Sequence, residues 1–244
     1  MATPRSSRRG LVWAIIGAAV LLVAIIAIVA SSMLGKTPVA SPTVNQSPRP
    51  NASQAPTDPP PESVVDESVI QRGWIAEPIT KDSDLYIQAA LAAASTFDTQ
   101  QSTRAEWLSY LDTWFTPDTR YATEQEREDD MRASQLELRQ GVVLPEADWN
   151  SLANENGRVT ADAAGEIAYT DVPEDSSGNM RIGTTDVVLT FTRSDSGGKE
   201  SSYDEKVRVS VQVLCGDGSV PAPNSDQQPG DCKVVRYFSG SLEP

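Results

Sequence analysis

The side chains able to do chemistry are few in this sequence, and they do not form a familiar set. There is no histidine among the 244 residues. That removes the usual general base near neutral pH, the commonest zinc ligand and every Ser-His-Asp or Cys-His arrangement. The two cysteines, Cys215 and Cys232, are too few for a zinc site without histidine, and they are not at CxxC spacing. Gly197-Gly198-Lys199 resembles the end of a phosphate loop, but Arg193 stands where that motif requires glycine. Asn154-Glu155-Asn156-Gly157 invites comparison with a calcium loop. Setting Gly157 at the sixth position puts Leu152 and Ala163 at the two ends, where neither can ligate. Glu128-Asp129-Asp130 is a carboxylate cluster that reads as the solvated face of a helix. Asp98, Asp112, Tyr110 and Tyr121 offer acids and phenols, a pairing that serves proton transfer once burial raises a carboxyl pKa. Nothing in their spacing fixes a mutual geometry, and capping, exposure and core packing account for them equally well. No residue set is assigned a catalytic, cofactor-binding or metal-binding role.

The elements that must carry these residues divide into helices first and strands after. Asp82 and Asp84 are candidate caps for an Ala-rich helix over Leu85–Phe97, with Leu85, Ile87, Ala90, Leu91, Ala94 and Phe97 apolar. Thr103-Arg104-Ala105-Glu106 fits a capping box and opens a second helix that runs to Phe115. Trp107, Leu108, Leu111, Trp114 and Phe115 give that helix an apolar stripe, read as core and not as a carbohydrate platform. A third, heavily charged helix is expected over about Ala122–Gln140, with Gly141 as its stop. After Pro145 the pattern changes to strands. Val207, Val209, Val211 and Val213 alternate with Arg208, Ser210 and Gln212, a period of two. Val187, Leu189 and Phe191 alternate within Asp186–Arg193, Lys233–Ser239 is β-rich, and Val159–Tyr169 is a weaker segment. The fold class is therefore α+β, with helices packed on one face of an antiparallel sheet.

Cys215 extends the valine face of its strand and Cys232 opens the next. The segment between them is rich in Gly and Pro and suits a long hairpin loop. An oxidising compartment permits a structural bridge at its base, which contributes about 3 kcal/mol on the chain-entropy estimate. The alternative is a pair of buried free thiols.

Four regions follow from composition: 1–10, a basic stub; 11–34, a transmembrane helix; 35–65, a Pro-rich linker; 66–244, the α+β domain. Leu11 to Leu34 carries no charge. As a helix it spans about 36 Å, enough for a hydrocarbon core of about 30 Å. It is longer than a signal-peptide core, and Ile28-Val29-Ala30 is a poor cleavage signal, so it reads as an uncleaved anchor. Arg5, Arg8 and Arg9 before the run against Lys36 after it place the N-terminus in the cytoplasm and the domain outside. Eight of the seventeen prolines lie between residues 37 and 63, the composition of a disordered spacer. Net charge is −14, yet residues from 37 onward hold 16 basic against 34 acidic side chains. That surface repels phosphate backbones and excludes nucleic acid as a partner of the domain.

The order anchor, Pro-rich spacer, helices, strands, together with Ala89–Phe97 and Trp107–Leu111, resembles the bitopic proteins of Gram-positive conjugative secretion systems, the TcpC type. It is also similar to other anchored actinobacterial proteins with the same kind of domain. The resemblance implies an extracytoplasmic domain like nuclear transport factor two, a cone of about three helices against a curved antiparallel sheet. It implies a non-enzymatic assembly component of a cell-envelope apparatus, partnered by the bilayer and by other envelope proteins or further copies of itself. The alternatives are an anchored ligand-binding or transport-accessory domain using the cone's pocket and, third, an isomerase- or dehydratase-like enzyme. The family supplies no active site to transfer.

Overall fold

The structure is a computed structural model describing residues 63–163 and 165–242. The predicted anchor and nearly all of the predicted linker lie outside the described residues. Among those described, no helix is long and apolar enough to cross a membrane.

The elements are a 3-10 helix, Glu67–Arg72; helices α1, Ser83–Ala93, α2, Arg104–Asp112, α3, Glu124–Glu137, and α4, Glu146–Ala153; and strands β1, Phe97–Asp98, β2, Arg158–Asp162, β3, Ala168–Asp171, β4, Met180–Ser194, β5, Glu200–Leu214, and β6, Lys233–Phe238. Asp82 caps α1 by accepting from the N–H groups of Asp84 and Leu85 at 2.9 and 3.3 Å. Thr103 and Glu106 close the expected capping box on α2, and Thr123 with Glu126 closes a second one on α3. Such caps satisfy N–H groups that have no partner within the helix.

Boundaries differ from the sequence expectation at several places. The third expected helix keeps α geometry only to Glu137 and continues as a π-helix over Leu138–Val142, running through Gly141 where a stop was expected. Helix α1 stops at Ala93, so Phe97 leaves the helix and pairs with Val159 as β1. Helix α2 stops at Asp112, and Phe115 bridges in parallel to Val234 of β6. Residues 146–153, expected to begin the strands, form α4 instead. Pro145 is set at its entrance with φ −55°, and Trp149 and Leu152 turn inward. Among the described residues four α-helices therefore stand where about three were expected.

All strand pairs in the sheet are antiparallel, in the order β1-β2-β4-β5-β6, with β3 also pairing to β4. The hairpin β4–β5 is the frame, pairing Met180 with Leu214 at one end and Ser194 with Glu200 at the other. The sheet curves, and its concave face receives the helices. Residues Tyr86–Leu91 of α1 include four fully or almost fully buried side chains, and the alanines to Ala94 continue the buried surface. A helix with so broad an apolar face packs against the core of a domain. Phe97, Trp107 and Trp149 form one aromatic cluster, with centroids 4.1 Å apart for Phe97–Trp149 and 4.9 Å for Phe97–Trp107. Tyr86, Trp114 and Tyr110 form another, at 5.8 and 6.1 Å. A smaller cluster of Val172, Met180, Ile182, Leu214 and Val235 lies apart from this core.

Gly183 lets α1 seat against β4. A Cβ there would lie 2.6 Å from Ile87 Cδ1 and 3.0 Å from Ile87 Cγ2. Overpacking of a closed core costs about 1–3 kcal/mol. Gly183→Ala is therefore expected to lower the urea midpoint by an amount in that range without changing the m-value, as checked by equilibrium unfolding.

Candidate functional site

The four residues singled out as acids and phenols do not converge. Asp98 accepts from the Gln100 N–H at 2.8 Å in a turn. Asp112 pairs with Arg139; burial raises its carboxyl pKa, and the arginine opposes the rise. The Tyr110 hydroxyl donates to the Ile75 carbonyl at 2.7 Å and accepts from the Glu77 N–H at 3.0 Å. Tyr121 donates to Asp130 at 3.0 Å on the surface. Glu128 and Asp129 both face Arg132, as a solvated helix face would. Among the described residues no three acidic, His or Cys side chains are grouped to hold a metal ion. Cys215 and Cys232 are bonded to each other.

An acid–phenol pair does exist, made of residues the sequence did not single out. Glu77 and Lys233, 0 % and 1 % exposed, form an ion pair of 2.8 Å inside the domain. The Tyr86 hydroxyl donates to the same Glu77 Oε1 at 2.6 Å, and Gln227 Nε2 donates to it at 3.2 Å. Lys233 also donates to the Thr113 carbonyl at 2.7 Å, and the Ala222 N–H donates to Gln227 Oε1 at 2.8 Å. Glu77 Oε2 accepts no hydrogen bond from the protein. Burial, seconded by the Glu77 charge, holds the Tyr86 hydroxyl well above the ordinary tyrosine range. Burial lowers the Lys233 pKa, and Glu77 opposes that shift.

The elements that bring this group together are far apart in the chain. Glu77 lies in the stretch before α1, where the Val65 N–H donates to the Glu77 carbonyl at 2.9 Å. Lys233 opens β6 directly after the disulfide, and the Cys232 N–H donates to the Thr80 carbonyl at 2.7 Å. Gln227 comes from the loop that the disulfide closes. One signal for the site was present: a lysine inside the apolar run Cys232–Val235 requires a partner if that run is buried. Its partner, Glu77, lies 156 residues away, beyond the reach of local spacing.

Carboxylate, phenol and ammonium within bonding distance are the parts of a proton relay, and here all three are enclosed, Glu77, Tyr86 and Lys233 being 0, 0 and 1 % exposed. A surface cleft of about 500 Å³ runs past Arg72, Trp74, Glu106 and Tyr110. A second, of about 260 Å³, lies at the open end of the concave face between Phe97, Val143, Leu189 and Phe191, with Glu205 on its wall. Neither is lined by Glu77, Tyr86 or Lys233. The group works as a fastener. It ties the stretch before α1 to β6 and to the closed loop.

Fold and fastener together define an α+β domain whose helices close over a curved antiparallel sheet. No protein-family model matches the sequence, and no curated protein matches it. Among solved structures, an IcmL-like type IV secretion system protein from Legionella pneumophila is similar at 11 % identity and TM-score 0.36, over 64 % of this chain and 88 % of that one. A periplasmic fragment of TraM is similar at 14 % identity and TM-score 0.36, over 62 % and 89 %. CagV, a VirB8 homolog from Helicobacter pylori, is similar at 15 % identity and TM-score 0.29, over 55 % and 78 %. Identities of this size establish no residue-level correspondence.

Removing one member of a buried ion pair strands the other, at a cost of about 3–5 kcal/mol. Glu77→Gln and Lys233→Met are each expected to destabilise by that order in urea unfolding. The double variant should lose clearly less than the sum, which a double-mutant cycle measures. Tyr86 gives an alkaline signature. An unfolded tyrosine ionises near pH 10 while the folded one keeps its proton, so stability falls as pH rises above about 10. Lys233 acts in the opposite sense, because burial lowers its pKa in the fold and the unfolded chain then holds more protons as pH rises. Tyr86→Phe should therefore make the alkaline loss of stability shallower by up to about 1.4 kcal/mol per pH unit, followed by urea unfolding across that range.

Proposed function

We propose that this chain is a non-enzymatic assembly component of a conjugative, type IV secretion-like apparatus in the cell envelope. Residues 11–34 anchor it in the cell membrane with the N-terminus cytoplasmic. Residues 35–65 hold the domain away from the bilayer, and the domain works outside the cytoplasm through protein contacts. The observation that carries the reading is the filled interior. Tyr86, Ile87, Trp107, Leu111, Trp114 and Tyr237 are each 0 % exposed. A domain whose centre is packed shut recognises partners with its outer surface. The arrangement of anchor, spacer and domain supports the envelope placement, and the acidic surface suits a basic partner better than nucleic acid.

The 260 Å³ cleft beside Leu189 and Phe191 favours a second reading, an anchored ligand-binding or transport-accessory domain. An apolar molecule that stays bound to the chain through purification from membranes would move the assignment there.

Protease added to sealed protoplasts is expected to digest the domain while leaving cytoplasmic markers whole. Pull-down of the full chain from membranes should bring with it an ATPase or channel protein of a secretion apparatus. A domain that survives protease in sealed protoplasts would overturn the placement, and recovery of the chain free of envelope proteins would overturn the assembly role.

A further inference from the structure

Strand β5 is fully paired on one side and only partly on the other. Towards β4 its ladder runs from Glu200 to Leu214. Towards β6 it covers only Ser210 to Leu214. Among the described residues the outer edge from Glu200 to Val207 has no ladder partner. Residues Glu200 to Lys206 are all exposed. Open edges of this length are templates for another strand, and proteins that must stay apart commonly blunt them with proline, a bulge or an edge charge. This stretch has no proline or glycine, and the one irregularity of the β5–β6 ladder falls at Gln212/Val213, in the paired half. Its charges can serve either purpose, so their order decides.

We infer that this edge pairs with itself: two copies of the chain join β5 to β5 in antiparallel, with Tyr203 on the two-fold axis, making one sheet across both domains. In that register Glu200 of each copy faces Lys206 of the other, Ser201 faces Glu205, and Ser202 faces Asp204. No like charges stand directly opposite. The neighbouring registers fail this test. Centred on Ser202, the pairing sets Glu200 against Asp204. Centred on Asp204 or Glu205, it sets a carboxylate against its own copy. Opposite charges across a strand pair stabilise it, and like charges there oppose it.

Side-chain arrangements already present in one copy extend across this axis. On the concave face Tyr203 stacks on Phe191, with centroids 5.0 Å apart and planes at 5°. Two such stacks meeting at the axis form a row of four rings. Glu200 is held by Arg158 at 2.8 and 2.9 Å, and Lys206 by Asp186 at 2.7 Å. Across the axis these pairs become a chain of alternating sign, Arg158–Glu200–Lys206–Asp186, and the two-fold repeats it. The net negative charge of the domain works against any self-association, so one locally complementary register is what such a contact needs. The interface supplies a specific partner, a second copy, for the assembly reading above, and rests on that reading only for its use in the envelope.

The test uses the full chain in detergent micelles. Tyr203→Cys should give an intermolecular disulfide dimer under mild oxidation, while Ser176→Cys on the β3–β4 turn stays monomeric. Lys206→Glu should weaken dimerisation by about tenfold in sedimentation or light scattering, since two attractive pairs become repulsive. Glu200→Lys combined with Lys206→Glu should restore it, and circular dichroism checks that each variant is folded. The interface is wrong if Tyr203→Cys crosslinks no better than Ser176→Cys. It is equally wrong if the protein is monomeric, if Lys206→Glu dimerises like the parent, or if the exchange fails to rescue. Any of these leaves the pull-down result standing, and a failed pull-down leaves the dimer standing, so the two readings fall separately.

Discussion

A glutamate and a lysine taken out of water together, Glu77 with Lys233, set the terms for the rest of this domain. Each is tolerable inside only because the other is there, and both need further partners to saturate their bonding. Tyr86 of α1, Gln227 of the closed loop and the Thr113 carbonyl after α2 supply them. Pieces that share no local sequence are thereby obliged to meet at one point. The disulfide Cys215–Cys232 sits beside that point and shortens the search for it, because Lys233 follows directly on the crosslinked residue.

The same arrangement encloses its own reactive groups. Acid, phenol and amine lie within bonding distance, and Glu77, Tyr86 and Lys233 are all but closed to solvent. Catalysis requires a reacting atom to reach its acid or base. Among the described residues, the surface features open to solvent include several marginal clefts, an acidic helix face along α3 and the unpaired half of β5.

The sequence made most of the architecture readable where pattern is local. Alternating valines marked β5, the Thr103–Glu106 box marked the start of α2, and the two cysteines were correctly joined. It failed where tertiary contact overrides pattern. Glu146–Ala153 offers only two buried side chains, Trp149 and Leu152, too little periodicity to announce α4. Phe97 looked like the end of an alanine helix, and only the presence of Val159 across the ladder draws it into a strand. The buried network was the least legible part. A glutamate before a proline and a lysine after a cysteine look ordinary until the fold sets them 2.8 Å apart. The acids and phenols visible in the sequence, Asp98, Asp112, Tyr110 and Tyr121, are each engaged with separate partners and do not meet.

The way the chain enters the domain has a mechanical meaning. Ser63 and Val65 pair with Ile79 and Glu77 through two backbone bonds of 3.0 and 2.9 Å, and Thr80, just beyond, receives the Cys232 N–H. A pull on the polypeptide ahead of Ser63 is thus passed within a few residues to a covalent crosslink spanning two adjacent strands. Tension applied there meets the two backbone bonds and the disulfide-closed loop first, well before the tip of the β4–β5 hairpin.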